Sequence, residues 1–361
     1  MLETKLLGYT LRSPYIIGSG PIGYGAAGMI AAHKAGAGAV TTKTIRDKKA
    51  ENPLPHIAYS SPNTMVNAEK WTDFDAKQWV EREIPAAKSA GVFVIGSIGH
   101  TPKEVRNWTG PVDRAGADII ELVSYEEDTI IEMTSLAKRL SSKPVVVKLS
   151  PNWNDPVQAA LEVIHAGADG LTAMDSVGPV LRIDIRKARP LLGSVNGFGW
   201  LTGSAIKPVV LRYVAEIAMK TNIPVIGTGG VMTPEDAVEM LMAGASAVGI
   251  CTAPILKGTE YITTLNKKTE KLMEELKYGS IGEISRAALR NFPKAEQFGK
   301  HYFTFDPEVC TRCLRCVTVC PYDARSLDHD KNMKLDESLC RHCGLCASVC
   351  PYEALLMERQ V

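Results

Sequence analysis

The chain has 361 residues, with 41 Lys+Arg against 40 Asp+Glu and a hydrophobic content of 45%. A net charge of +1 gives no reason to expect a nucleic-acid or membrane partner. No apolar run reaches the ~18 residues of a membrane span, and Met1–Gly8 carries no signal-peptide pattern, so a soluble, cytoplasmic, two-domain protein is expected.

Leu6–Leu11 reads as a hairpin closing the floor of whatever follows. A short repeat then organises the chain: Ala35-Gly36-Ala37-Gly38, Ala115-Gly116-Ala117-Asp118, Ala166-Gly167-Ala168-Asp169 and Ala243-Gly244-Ala245-Ser246. Each ends a helical pattern on a glycine stop and leads into a buried strand. Helix–Gly–strand units imply parallel strands with helical crossovers. Strands are expected near 15–19, 39–45, 92–98, 119–124, 145–149, 170–176, 224–228 and 247–252, with helices such as Asp155–Ala166 and Pro234–Ala243 between them. Eight alternations predict a (β/α)8 TIM barrel over residues 1–292. Long connections at about 47–72 and 177–205 are where lids and binding loops belong. A short helix over Ile281–Asn291 leads to a linker, 293–303, and a second domain, 304–361.

Gly18-Ser19-Gly20-Pro21-Ile22-Gly23 matches the dinucleotide fingerprint only superficially, since Thr41-Thr42-Lys43-Thr44 supplies no carboxylate about 20 positions on. It reads better as a loop where backbone approaches a flat cofactor. In a barrel, chemistry sits at the C-terminal strand ends, and phosphate often binds after strands seven and eight. Those ends are Gly227–Val231 and Gly249–Ala253, whose glycines expose backbone N–H groups. Lys43 and Lys148 end strands two and five, and a lysine there needs an anionic partner. Flavin mononucleotide (FMN) meets both needs. Cys251 reads as a buried strand thiol.

Cys310, Cys313, Cys316 and Cys320 precede Pro321, and Cys340, Cys343, Cys346 and Cys350 precede Pro351. This doubled spacing matches bacterial two-cluster ferredoxins. Zinc sites and disulfide frameworks do not need it. In the ferredoxin arrangement the fourth cysteine of each run serves the other cluster. That assigns Cys310, Cys313, Cys316 and Cys350 to one [4Fe–4S] cluster and Cys340, Cys343, Cys346 and Cys320 to the second.

Thr42–Thr44, Val94–Ile98, Val147–Asn152, Gly199–Pro208, Gly227–Gly230 and Gly249–Ala253 together resemble the dihydroorotate dehydrogenase family. With the cysteine tail, the chain is similar to its dihydropyrimidine dehydrogenase branch, in particular the FMN/iron–sulfur subunit of the two-subunit bacterial NAD-dependent type. The resemblance implies FMN held by Ser19, Lys43, Lys148, Gly203, Ser204, Gly229, Gly230 and Thr252, with Gly20, Ser97 and Cys251 in the adjoining stretches. It implies a pyrimidine-binding asparagine at Asn67, with Asn63 as the other register. Members commonly pair, which implies a homodimer or hetero-oligomer.

Two departures alter the pocket. The family loop after strand four carries an asparagine and a proton-exchanging cysteine or serine, whereas this chain reads Val123-Ser124-Tyr125-Glu126. A family asparagine after strand six is Asp175, followed by Ser176. Aspartate only accepts hydrogen bonds, so a donor-rich or cationic ligand is favoured at Asp175 and Ser176. Tyr125, Ser124 and Asp175 are the candidates for proton transfer. His100 also points toward the site, and Glu126–Asp128 read as helix-start carboxylates.

The expected activity is oxidoreduction of a C=C/CH–CH bond in a small cyclic substrate, with uracil or thymine reduction as the named reading. A reductase of another heterocycle or enone, or an electron-transfer subunit without its own substrate, fits the same residues. No nicotinamide-binding segment is visible, so electrons need an FAD- and NAD(P)-binding partner subunit or a ferredoxin.

Overall fold

Eight short strands close a parallel barrel in sequential order: β1 Tyr15–Ile17, β2 Ala39–Thr41, β3 Val94–Gly99, β4 Ile119–Val123, β5 Val145–Lys148, β6 Gly170–Ala173, β7 Val225–Thr228 and β8 Ala247–Ile250. Each is an apolar run buried on both faces, as parallel strands under helices must be. The four repeat glycines, Gly36, Gly116, Gly167 and Gly244, take φ between 105° and 123°, a turn a side chain would resist. Helix starts are set locally. Asp155 accepts from the amides of Val157 and Gln158, and Thr233 and Asp236 form a reciprocal capping box. The barrel floor is plugged by Leu6 and Leu11 of the antiparallel hairpin Thr4–Leu6/Tyr9–Leu11, packed with Ile16, Ile95, Ile119 and Val146.

The computed structural model describes residues 1–296, 301–329 and 332–359. They divide into two units, Met1–Phe292 and Pro293–Val361. The barrel strands are shorter than expected at several C-terminal ends. β2 stops at Thr41, so Lys43 lies two residues beyond it, and β8 stops at Ile250, so Cys251 is not a strand residue. The helix expected over 281–291 splits into Ile281–Ile284 and a 3-10 turn, Leu289–Asn291.

The two long connections do more than hang as loops. Ile57–Ser61, Thr64–Asn67, Phe198–Gly203 and Val177–Leu181 pair into one four-stranded antiparallel sheet. Its central register sets Trp200 opposite Asn67 and Gly203 opposite Thr64.

The second unit is built on an internal repeat. Helices Arg315–Thr318 and Leu345–Ser348 lie within the two cysteine runs and carry the third cysteine of each, Cys316 and Cys346. His301–Phe305 pairs with Leu355–Arg359, and Arg325–Leu327 with Met333–Leu335. The stretch read as linker therefore ends earlier than 303, because His301 already begins a strand; residues 297–300 lie outside the described residues. Among the described residues, no helix is long and apolar enough to cross a membrane.

Candidate active site and cysteine-edged cavities

At the C-terminal end of the barrel, seven of the eight strands contribute to one cavity, with His100 just beyond β3 completing the ring, and the antiparallel sheet walls its side through Ile57, Met65, Asn67, Trp200 and Thr202. Ser19, Gly20, Lys43, Lys148, Gly203, Gly229, Gly230, Cys251 and Thr252 all line it. Ser97 and Ser204 do not. The Ser97 hydroxyl lies 3.2 Å from that of Thr44 within the barrel, and the Ser204 amide donates to the Asn63 carbonyl. Asn63 is a hairpin-turn residue at φ 57°, whereas Asn67 faces the cavity, its amide nitrogen 3.4 Å from the Trp200 carbonyl.

The chain's own residues fit FMN. The amides of Gly229 and Gly230 make no hydrogen bond among the described residues, and they line the cavity after β7. Unpaired donors there suit phosphate oxygens. Gly230 stands at φ 84°, and a Cβ on it would lie 2.5 Å from the Lys207 side chain. Across the cavity, a Cβ on Gly20 would lie 2.7 Å from the Cys251 sulfur. The loop after β1 thus closes on Cys251, whose thiol is pushed up to about 11 by burial and is no nucleophile.

The lysines do not wait for a cofactor. Lys43 Nζ lies 2.8 Å from Glu69 Oε1 and donates to the Lys70 carbonyl, and Lys148 Nζ lies 3.0 Å from Asp175 Oδ1. The anionic partner that each lysine needs is present inside the protein, Glu69 for Lys43 and Asp175 for Lys148. Burial opposes the charge on Lys148, but Asp175 and Glu121 overrule it and raise its pKa. Burial likewise opposes the charge on Asp175, and Lys148 holds its pKa down. Both stay ionised.

Glu121 was not singled out, although a carboxylate within Ile119-Ile120-Glu121-Leu122-Val123 is the signal that would have found it. Its Oε2 accepts from the Thr172 hydroxyl at 2.8 Å, and Oε1 is buried without a partner. Burial raises its pKa, against the opposing charge of Lys148.

At the mouth, His100 and Tyr125 lie close enough to the Lys148–Asp175 pair to feel both charges. The His100 ring stands edge-on to Tyr125 at 4.2 Å and to Trp71 at 5.8 Å, and the Arg46 guanidinium lies 4.2 Å over Trp71. His100 Nδ1 is buried and has no hydrogen-bond partner among the described residues. Burial, then the charge of Arg46, push its pKa down to about 4, so it is neutral near pH 7. Ser124 lines the cavity, but its hydroxyl is engaged at the start of the next helix: it accepts from the Glu126 amide and lies 2.8 Å from the Thr129 hydroxyl. Tyr125 is 55% exposed at the rim. Desolvation of its phenol, then the charge of Asp175, raise its pKa. Ser176 joins the wall beside Asp175. Glu127 accepts from the Asn154 amide, outside the cavity lining.

In the second unit the eight cysteines edge two cavities. One is lined by Cys310, Cys313, Cys316 and Cys350, the other by Cys320, Cys340, Cys343 and Cys346. Among the described residues, no three His, Cys, Asp or Glu side chains converge on a point that would hold one metal ion. Four thiols set around a space suit a cluster rather than a lone ion.

Comparison with known proteins agrees with both units. The family "Dihydroorotate dehydrogenase" matches residues 118–273, and "4Fe-4S dicluster domain" matches 303–357. The chain is similar to the protein named dihydroorotate dehydrogenase B (NAD(+)), catalytic subunit, of Pyrococcus abyssi, at 33% identity over 80% of this chain and 100% of the relative. It is 31% identical to the protein of that name from Methanothermobacter thermautotrophicus, over 79% of this chain and 97% of the relative. The Geobacillus kaustophilus protein of that name is 33% identical over 78% and 94%. None of the three bears the dihydropyrimidine name that the cysteine tail suggested. The chain therefore belongs to the dihydroorotate dehydrogenase family, as an iron–sulfur flavoprotein oxidoreductase that joins an FMN-binding barrel to a 4Fe-4S dicluster domain.

Proposed function

We propose that the barrel interconverts a C=C and a CH–CH bond in a neutral, N–H-rich ring, with a dihydropyrimidine/uracil pair as the named substrate. The observation that carries this reading is the Lys148–Asp175 ion pair at 3.0 Å, in the same cavity lining as His100 and Tyr125. A carboxylate-bearing ring such as dihydroorotate would meet the fixed anion of Asp175, while both lysines are already neutralised. A lactam N–H donates to Asp175. Asn67, Ser176 and His100 Nδ1 offer the remaining contacts, and the aromatic rim stacks on the ring.

When bound, FMN would supply hydride exchange at the substrate carbon and one-electron exchange with the clusters. Tyr125 gives its proton to the neighbouring carbon in the reductive direction. The C=C π bond is lost and two C–H bonds form. The exposed phenol is then reprotonated from water. Lys148 keeps Asp175 ionised and oriented. Gly229 and Gly230 hold phosphate. Cys310, Cys313, Cys316 and Cys350 ligate one cluster, and Cys340, Cys343, Cys346 and Cys320 the other. The P. abyssi relative is matched in full by four-fifths of this chain. The electron exit through the clusters leads to an FAD/NAD(P)-binding partner or a ferredoxin.

Titrating the oxidised holoprotein while following the flavin spectrum tests the reading. Uracil or thymine is expected to bind and orotate to bind far more weakly. In Asp175→Asn the preference is expected to shift toward orotate by about 10- to 100-fold, the worth of one hydrogen bond to a charged group. Tight orotate binding by the wild type would overturn it.

A further inference from the structure

The second unit repeats itself at an offset of 30 residues, Cys310 to Cys340 and Cys320 to Cys350. The backbone follows the repeat: Arg312 and His342 share φ of 58° and 54°, and Asp323 and Glu353 share 52° and 54°. One buried position breaks it. Arg325 stands where the other half has Leu355, and they are 6% and 2% exposed. Arg325 lines the cavity edged by Cys320, Cys340, Cys343 and Cys346, and Leu355 lines the one edged by Cys310, Cys313, Cys316 and Cys350. The two cavities therefore differ by one buried positive charge.

That charge is incompletely satisfied by protein. The Arg325 guanidinium lies 4.3 Å over the Phe303 ring, but Nε and Nη2 are buried with no hydrogen-bond partner among the described residues. A cation–π contact does not offset a buried guanidinium with two unmade hydrogen bonds. An iron–sulfur cluster with its four thiolates is anionic in both oxidation states, and more so when reduced. Its potential is set by nearby charge, hydrogen bonds to sulfur and exposure to water. Resting on the cysteine grouping proposed above, we infer that Arg325 donates from Nε and Nη2 to sulfurs of the cluster held by Cys320, Cys340, Cys343 and Cys346, and so makes it the higher-potential cluster of the two. The reduced form gains more from the guanidinium than the oxidised form, and this difference raises the potential.

The other arginines do not cancel this asymmetry. Arg312 and Arg315 line the Leu355 cavity but are exposed, so water and salt screen them. Arg341 lines the Arg325 cavity, is also exposed, and is engaged by the carbonyls of Ser338, Leu339 and Cys340. Each cluster takes one electron with no bond made or broken, and the first of a pair settles beside Arg325.

The test is an EPR-monitored redox titration of the full-length, anaerobically purified holoprotein, with iron content measured in parallel. Two separate midpoint potentials are expected. Cys343→Ser should alter the signal of the higher one, and Cys313→Ser that of the lower. Arg325→Leu should lower the higher potential and narrow the gap, Arg325→Lys should shift it less, and Leu355→Arg should raise the lower one. Loss of iron from the wild type, or Cys343→Ser disturbing the cluster that Cys313→Ser disturbs, would count against the cluster grouping itself. With the grouping intact, three results would each overturn the role of Arg325: coincident wild-type potentials, a higher potential that answers to Cys313→Ser, or unmoved potentials in a fully loaded Arg325→Leu. Should Arg325→Leu fail to assemble, the wild-type assignment and Leu355→Arg still decide.

Discussion

Lys148 and Asp175 set the chemistry of the mouth because each keeps the other charged in a place where burial alone would neutralise it. Tyr125 and His100 then divide the remaining work. His100 stays neutral until about pH 4, well below its ordinary 6.5. Between those values an exposed histidine would take up a proton and His100 does not. The rate of flavin reoxidation by substrate is therefore expected to show no inflection near pH 6.5, and a histidine-like step there would put a charged imidazole in the site. Tyr125 is held above its ordinary 10, so it remains a proton donor throughout the neutral range, and the reductive rate is lost only as pH rises past its raised pKa. Tyr125→Phe is expected to slow substrate-dependent reoxidation by about 10²–10⁴-fold with flavin content unchanged. An unaltered rate would turn attention to Asp175. The sequence alone ranked Ser124 beside Tyr125. It could not separate them, because the Ser124 hydroxyl is engaged through Thr129 and the Glu126 amide, contacts that only the folded turn creates.

The repeated Ala-Gly-Ala units were legible because a glycine stop followed by a buried strand is a local pattern, and it located four of the eight strands, β2, β4, β6 and β8. The antiparallel sheet over residues 57–67 and 177–203 was not legible, since Trp200 and Asn67 pair across 133 residues and neither segment alone specifies its partner. The same holds for Glu69, which reaches Lys43 only through that folded excursion. The glycine loop after β7 was legible as a phosphate site by composition, and the structure adds why Gly230 is needed. Gly230→Ala would force φ 84° on a residue with a Cβ and press it against Lys207. A local cost of about 1–3 kcal/mol is expected. It should appear as weakened FMN retention on dilution, with the far-UV spectrum unchanged. Full FMN retention would remove the loop from the cofactor site.

The division into a barrel and a cysteine-rich unit was written in the sequence by the change of pattern after residue 292. The doubled cysteine spacing carried the cluster chemistry without any fold. The curated relatives named for dihydroorotate share the barrel, yet substrate choice follows from a few side chains at its mouth, where Asp175 faces Lys148. The most direct measurement is anaerobic stopped-flow. The holoprotein, shown to hold FMN and about eight irons as two [4Fe–4S] clusters require, is reduced chemically and mixed with uracil, thymine or orotate while flavin absorbance is followed. Rapid reoxidation by uracil or thymine, with little by orotate, is the expected result. Rapid reoxidation by orotate alone would contradict the reading of the Asp175 pocket and make this chain a dihydroorotate-type enzyme.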